Sequence, residues 1–133
     1  MKQIFWAGIF TLLAVLPVRA DEAAIRSVIS SQIEAFLADD FEQAFEFASP
    51  TIQGMFKTPD QFGTMVREGY PMVWRPADVQ FLSIDEINGV LWQTVLVQDG
   101  QGNEFLLGYQ MIEDPEGWKI NAVQVKPAPM GAV

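Results

Sequence analysis

The apolar residues of this chain change their period once, from the 3.6-residue repeat of a helix to the two-residue repeat of a strand. The change falls across residues 49–76, which hold four of the eight prolines: Pro50, Pro59, Pro71 and Pro76. Proline interrupts helices and central strands, so this segment separates two regions of different secondary structure. Helices followed by strands, without alternation between them, indicate an α+β fold.

The first predicted helix covers residues 23–37. Its polar face lacks lysine, which disfavours a helix lying on a membrane surface, and we expect its apolar side to pack on a core. The apolar stripe consists of Ile25, Val28, Ile29, Ile33, Phe36 and Leu37.

A second helix is predicted after Asp39-Asp40, where the first pattern stops. Asp40 with Gln43 three residues later has the sequence of an N-terminal capping box. The helix is expected to end at Ser49, because the following Pro50 disfavours helical backbone in the residue before it.

A third helix is predicted to begin at Thr58. Pro59 suits the first helical position, Gln61 completes the capping box, and Gly69 is expected just after the last turn. Residues 53–55 are then expected in a loop before this helix.

The chain after residue 76 predicts four antiparallel strands joined as a meander. Asn88-Gly89 is the strongest turn signal, because both turn residues must take positive φ, which asparagine and glycine tolerate. Asp114 to Gly117 also has the sequence of a turn. The predicted strands span residues 77–87, 90–98, 104–112 and 118–125.

Two of these strands are apolar on both faces, at residues 95–97 and 105–107. A sheet with one face in water should alternate more cleanly. The sheet is therefore expected either to curl around a cavity or to have its second face covered by a partner.

Residues 1–20 have the pattern of a cleaved signal peptide. Basic Lys2 precedes a short apolar run, and Val18 and Ala20 occupy the positions that a signal peptidase reads. The run is shorter than the ~20 residues that span a bilayer, so we expect cleavage and no stable membrane anchor. The remaining chain comprises one α+β domain over residues 21–126 and a disordered tail over residues 127–133, with a periplasmic or secreted location.

Charge and composition exclude several classes of function. Cleavage leaves 6 basic and 17 acidic side chains, a net charge of −11, which disfavours nucleic acid and anionic lipid as partners. The chain contains no cysteine and no histidine, so thiol and imidazole catalysis and the usual zinc ligands are missing. We expect no metal and no cofactor.

Several runs of residues are similar to known proteins. They are Ala48-Ser49-Pro50 with residues 52–56, Phe62 with residues 65–67, residues 69–76 and residues 118–121. On these runs the chain resembles a bacterial family of secreted domains of unknown function. The order of three helices before a meander also resembles the nuclear transport factor two-like superfamily, which includes ketosteroid isomerases. That resemblance implies a cone-shaped barrel with the helices packed inside a curved sheet, and no single activity, since such folds host enzymes and non-enzymes alike.

Five side chains are candidate ligand-binding residues at the mouth of the expected cone. Arg67 and Arg75 bracket an aromatic segment, and two guanidinium groups suit an acidic ligand because they hold a carboxylate through paired hydrogen bonds. Alternatively, each arginine pairs with a surface acid such as Glu68 or stacks over Trp74. The five candidates are Gln53, Arg67, Tyr70, Trp74 and Arg75.

These residues support three hypotheses of different classes. The first is a non-catalytic domain of the cell envelope that binds a small apolar or acidic ligand or a protein. The second is an acid–base lyase or isomerase that uses a buried carboxylate with Tyr70 or Tyr109; Asp78 is a candidate, although we expect it to be solvated at a strand start. The third is a homodimer formed through the outer sheet face. Tyr109 is expected in sheet packing, with its hydroxyl bonded at the rim.

Overall fold

The computed structural model describes residues 6–127, and the burial of side chains between residues 21 and 126. In this part of the chain five helices precede four strands, which confirms the α+β class. Residues 6–20 form the first part of the first helix, whereas residues 1–5 of the predicted signal peptide and 128–133 of the predicted tail lie outside the described range. The elements are α1 (Trp6–Leu37), α2 (Phe41–Glu46), α3 (Pro50–Phe56), α4 (Pro59–Gly69), α5 (Pro71–Trp74), β1 (Asp78–Ile87), β2 (Val90–Gln98), β3 (Glu104–Asp114) and β4 (Gly117–Pro127).

Capping residues set the starts of the short helices. Asp40 accepts a hydrogen bond from the Gln43 amide at 3.1 Å, and Thr58 accepts one from the Gln61 amide at 3.2 Å, so both predicted caps are confirmed. Asp39 before α2 has a φ of 55°, a left-handed backbone that aspartate tolerates better than most residues. This residue ends α1 and turns the chain into α2.

Four details of the predicted helices were wrong. The second helix, α2, ends at Glu46 rather than at Ser49. Residues 53–55 lie in α3 rather than in a loop, because Ser49 caps that helix at the Ile52 amide and Pro50 occupies its first position. Residues 71–74 form the extra helix α5, which also begins with a proline. Gly69 is the last residue of α4, and Tyr70 follows as C-cap with a φ of −135°, so no glycine is required after the last turn.

The strands form one antiparallel sheet in the order β1-β2-β3-β4, which confirms the meander. Asn88 and Gly89 take φ values of 52° and 81° in the first hairpin turn, as predicted. β1 and β4 are the edges of the sheet, so the sheet is open. The cone shape of the expected barrel is therefore not confirmed, since β1 and β4 do not pair.

The core lies between one face of the sheet and the helices. Leu37, predicted on the buried stripe of α1, is 47% exposed, because it is the last residue of that helix. The largest core side chains from α1 and the sheet are Ile25, Ile29, Phe36, Val95, Val97, Leu107 and Tyr109.

A polar network lies between α1 and the sheet, where β1 bulges. Leu82 and Ser83 together lie opposite Thr94 of β2. The fully buried Gln93 side chain places Nε2 at 3.1, 3.3 and 2.8 Å from the carbonyl oxygens of Leu82, Ser83 and Thr94. Its Oε1 accepts a hydrogen bond from Arg26 Nε of α1 at 3.3 Å. These five residues, called the bulge network below, tie α1 to the sheet.

The helices also differ from membrane-spanning segments. Between residues 6 and 127, none of them is both long enough and apolar enough to cross a membrane.

Candidate functional site

A cavity of about 370 Å³ lies between the helices and the edge strand β4. Pockets that hold small molecules typically measure ~300–1,000 Å³ and are mostly apolar. This cavity has that character, and it is partly open to solvent. Its lining consists of Gln32, Phe36, Ala48, Ile52, Met55, Phe56, Phe62, Met65, Val66, Tyr70, Val73, Ile120, Asn121, Ala122 and Val123.

Aromatic packing around Phe62 of α4 holds the apolar wall of the cavity. The Phe62 ring centroid lies 5.8 Å from that of Phe36, 5.3 Å from that of Phe45 and 5.8 Å from that of Phe56. Such tilted and edge contacts between rings restrict their orientation. The wall is therefore a packed structure that leaves the cavity unfilled.

A chain of hydrogen bonds joins the β4 side of the cavity to α3. The hydroxyl of Ser49, fully buried, donates to Asn121 Oδ1 at 2.7 Å, and Asn121 Nδ2 donates to Gln110 Oε1 at 2.7 Å. Ser49 also pairs through its backbone with Ile120, whose carbonyl oxygen accepts the Ser49 amide at 2.8 Å. These bonds fix Asn121 at the cavity surface.

Gln32 of α1 contributes a second amide to the cavity. Its side chain is 3% exposed, and its Nε2 donates to the carbonyl oxygen of Ala44 in α2 at 3.0 Å. A carbonyl oxygen only accepts hydrogen bonds, so the nitrogen end of the amide must face Ala44. The Gln32 carbonyl oxygen has no hydrogen-bond partner among residues 21–126.

Tyr70 is the predicted ligand-binding residue that lines the cavity. It lies at the junction of α4 and α5 and is partly buried. Its hydroxyl has no hydrogen-bond partner in the described part of the chain, so it is available as donor or acceptor. Together with Gln32 and Asn121 it gives three polar side chains to an otherwise apolar lining.

Trp74 and Arg75 meet away from the cavity, around Asp39. Arg75 Nη2 lies 3.0 and 2.9 Å from the two carboxylate oxygens of Asp39, and Trp74 Nε1 donates to the same carboxylate at 3.0 Å. Arg75 also stacks over the Trp74 ring at 4.0 Å and donates to the Phe36 carbonyl oxygen at 2.7 Å. The hydrogen bond from Trp74, followed by that from Arg75, lowers the pKa of Asp39. These contacts of Trp74 and Arg75 hold α5 against the end of α1.

Gln53 and Arg67 also lie outside the cavity lining. Gln53 Nε2 is 3.0 Å from the carbonyl oxygen of Phe45 and 3.2 Å from that of Ala48, and so joins α3 to α2. Arg67 is exposed on α4. The two arginines predicted to share an anion therefore have different surroundings, since Arg75 already binds a carboxylate of the chain.

The carboxylates and Tyr109 are the groups that an acid–base mechanism would use. Between residues 21 and 126 no aspartate or glutamate is buried, and Asp78 is exposed at the start of β1. Tyr109 is fully buried, burial raises its pKa, and its hydroxyl has no partner, contrary to the bond expected at the rim. Among the described residues no group of three or more carboxylates is arranged to hold a metal ion.

Sequence reasoning missed Gln32 and Asn121 as cavity residues, and Ser49 as the partner that fixes Asn121. Gln32 carried a usable signal, because it lies seven residues after Ile25 and three after Ile29, within the apolar stripe of α1. A polar residue at such a position is buried with a partner or faces a cavity. Ser49 and Asn121 gave no comparable signal, since their contact joins segments 72 residues apart.

Comparison with known proteins identifies one family. A family model described as Domain of unknown function (DUF4864) matches residues 18–133. This span includes all of the cavity lining and every strand. No curated protein and no solved structure matches the chain.

Proposed function

We propose that this chain, which belongs to that family of domains of unknown function, binds a small and mostly apolar molecule in the cavity between its helices and β4. The observation that carries the proposal is the coexistence of packed walls with unfilled space. Phe62 and Val66 in the wall are each 5% exposed, yet about 370 Å³ stays open beside them. A concave, mostly apolar space of this size is typical of small-molecule sites, so we propose that it has an occupant.

The proposed setting is the bacterial cell envelope or the exterior of the cell. The pattern of residues 1–20 supports export, and the family match begins at residue 18, beside the proposed cleavage point after Ala20. Cleavage there shortens α1 to residues 21–37 and leaves the cavity lining intact. The fold is proposed to be a relative of the nuclear transport factor two-like cone, supported by a cavity between helices and an antiparallel meander.

The acid–base alternative has less support from the geometry. It requires a carboxylate inside the cavity whose proton affinity is raised by burial. No charged side chain lines the cavity within the described residues. A binding function needs no such group, so we prefer it.

Binding is tested with N-phenyl-1-naphthylamine, a neutral dye whose emission rises in apolar surroundings. We expect a saturable increase in emission at one site per chain. Val123→Phe in β4 places a ring in the cavity and is expected to weaken dye binding at least tenfold.

Val125→Phe is the matched control for this test. It makes the same substitution two residues along the same strand, at a position that is 36% exposed and outside the lining. Dye binding to this variant should equal that of the unaltered protein. Absence of saturable binding, or equal loss in both variants, contradicts the proposal.

A second proposal concerns the outer face of the sheet, where a second copy of the chain is the proposed partner. Leu96 and Leu106 are paired on this face, and Leu82 on the neighbouring strand is 40% exposed. At the same end of the face, Asp78 lies on β1 and Lys126 on β4. A two-fold axis parallel to the strands stacks β1 of one copy over β4 of the other, so these opposite charges come together.

Sedimentation equilibrium tests this dimer. We expect a dimer for the unaltered protein and a monomer for Leu106→Glu, because a charge buried in the interface is not compensated. Glu104→Gln, two residues away on the same strand, serves as control. A monomer at every concentration for the unaltered protein contradicts dimerisation and leaves the ligand proposal standing.

A further inference from the structure

We infer that the cavity selects an uncharged ligand that carries a hydrogen-bond donor, such as a hydroxyl group, on an apolar skeleton. This inference rests on the proposed function and specifies its ligand class. Its basis is the unpartnered carbonyl oxygen of Gln32, together with the absence of charge from the lining of the described residues.

The Gln32 amide is fixed in orientation and lacks one partner. Its nitrogen donates to Ala44, which directs the carbonyl oxygen away from α2, and the side chain borders the cavity. The oxygen is therefore free to accept a hydrogen bond at the cavity. A ligand that donates to this oxygen gains that hydrogen bond, whereas a ligand with acceptors alone does not.

The other polar groups of the lining fit the same ligand. Asn121 uses its oxygen for Ser49 and one N–H for Gln110, so little of its capacity remains for an anion. Tyr70 offers a hydroxyl that both donates and accepts. A hydroxyl group on the ligand is matched by these partners because it, too, both donates and accepts.

The lack of charge in the described part of the cavity lining excludes both anionic and cationic ligands. A carboxylate ligand needs a cation in the lining, yet Arg75 is engaged by Asp39 and Arg67 lies outside the cavity. An ammonium ligand needs a carboxylate, and none borders the cavity in the described residues. Transfer of an unpaired charge into an apolar site is strongly unfavourable.

Three compounds with one skeleton test the inference by calorimetric titration: 2-naphthol, 2-methoxynaphthalene and 2-naphthoate. The first donates a hydrogen bond, the second only accepts one, and the third is an anion. We expect 2-naphthol to bind about tenfold more tightly than 2-methoxynaphthalene, the equivalent of one net hydrogen bond, and 2-naphthoate to bind more weakly than both.

Gln32→Met removes the acceptor while keeping a side chain of similar length. In this variant the affinities for 2-naphthol and 2-methoxynaphthalene should become equal. The ligand series on the unaltered protein decides the question even where this variant fails to fold. If 2-methoxynaphthalene or 2-naphthoate binds as tightly as 2-naphthol, the inference is wrong and cavity binding stands. If neither the dye nor any of the three compounds binds, the proposed function itself is wrong.

Discussion

Two buried glutamines at the interface of α1 with the rest of the domain have different surroundings. In the bulge network, Gln93 contacts backbone carbonyl groups through its nitrogen and Arg26 through its oxygen. At the cavity, Gln32 contacts Ala44 through its nitrogen alone. Residues of the protein bind both ends of the Gln93 amide, which stabilises the fold, whereas the carbonyl oxygen of Gln32 has no partner among residues 21–126. Burial of a polar side chain therefore has to be interpreted together with its partners.

Replacement of Gln93 should have the largest effect on the free energy of unfolding. Gln93→Leu removes the hydrogen bonds of the amide to the Leu82, Ser83 and Thr94 carbonyl oxygens and to Arg26. We expect unfolding free energy to fall by about 3 kcal/mol, at ~1 kcal/mol per hydrogen bond lost. Urea unfolding measures the change. Gln80→Leu, at an exposed position of β1, is the control and should change stability little. Equal effects of the two substitutions contradict the role given to the network.

The cavity wall should respond to a smaller change, the addition of one methyl group to α4. A Cβ at Gly63 overlaps the Phe41 ring, so Gly63→Ala should cost about 2 kcal/mol in spite of the better helix propensity of alanine. Gly54→Ala in α3 is the matched control, because a Cβ there meets no atom within 4 Å. It should raise stability by up to ~1 kcal/mol. Stabilisation by both substitutions in urea unfolding means that the α2–α4 contact is loose.

Tyr109→Phe tests whether the buried Tyr109 hydroxyl lacks a hydrogen-bond partner. Tyr109 lies directly opposite Gln93 in the sheet, but its hydroxyl has no partner. Removal of an unpartnered buried hydroxyl should raise unfolding free energy by about 1 kcal/mol. Thermal unfolding of the variant and of the unaltered protein shows whether stability rises or falls. A lower midpoint indicates that the hydroxyl is bonded, for example to an internal water molecule.

The smallest effect is expected at Asp39, whose carboxylate is exposed. Its folded pKa is lowered below the ordinary value of 3.8 by hydrogen bonds from Trp74 and Arg75, so its contribution to stability is present above pH 3.8 and is lost as pH falls through the lower folded pKa. Asp39→Asn should lower the urea midpoint slightly near pH 7, and the difference should vanish below that folded pKa. Glu68→Gln, at an exposed position of α4, is the control for a carboxylate without these partners. A difference that is constant with pH excludes the charge as its cause.

Local sequence patterns predicted the parts of the fold that depend on near neighbours. Asp40 and Thr58 cap helices because the amide that each one accepts is three residues away, and Asn88-Gly89 turns the chain through its own backbone preferences. The start of α3 at Ser49-Pro50 follows the same rule and was missed because proline was interpreted there as an end rather than a beginning.

The cavity was much less predictable, because its position depends on contacts between distant segments. Arg75 and Asp39 are 36 residues apart, and nothing in the sequence of either identifies the other as its partner. Tyr70 was predicted to bind a ligand because it is an aromatic residue in the segment between the helices and the strands. The structure places Tyr70 on the cavity, whereas Gln53, Trp74 and Arg75 make contacts that join helices.

The bond between Ser49 and Asn121 has a consequence for the order of folding. Closing a loop of 72 residues costs chain entropy before any contact repays it, and such non-local contacts slow folding. One side of the cavity is built from β4, which is synthesised after the other described helices and strands. The helices and the first hairpin are able to form early, but the cavity exists only after β4 has added to the sheet.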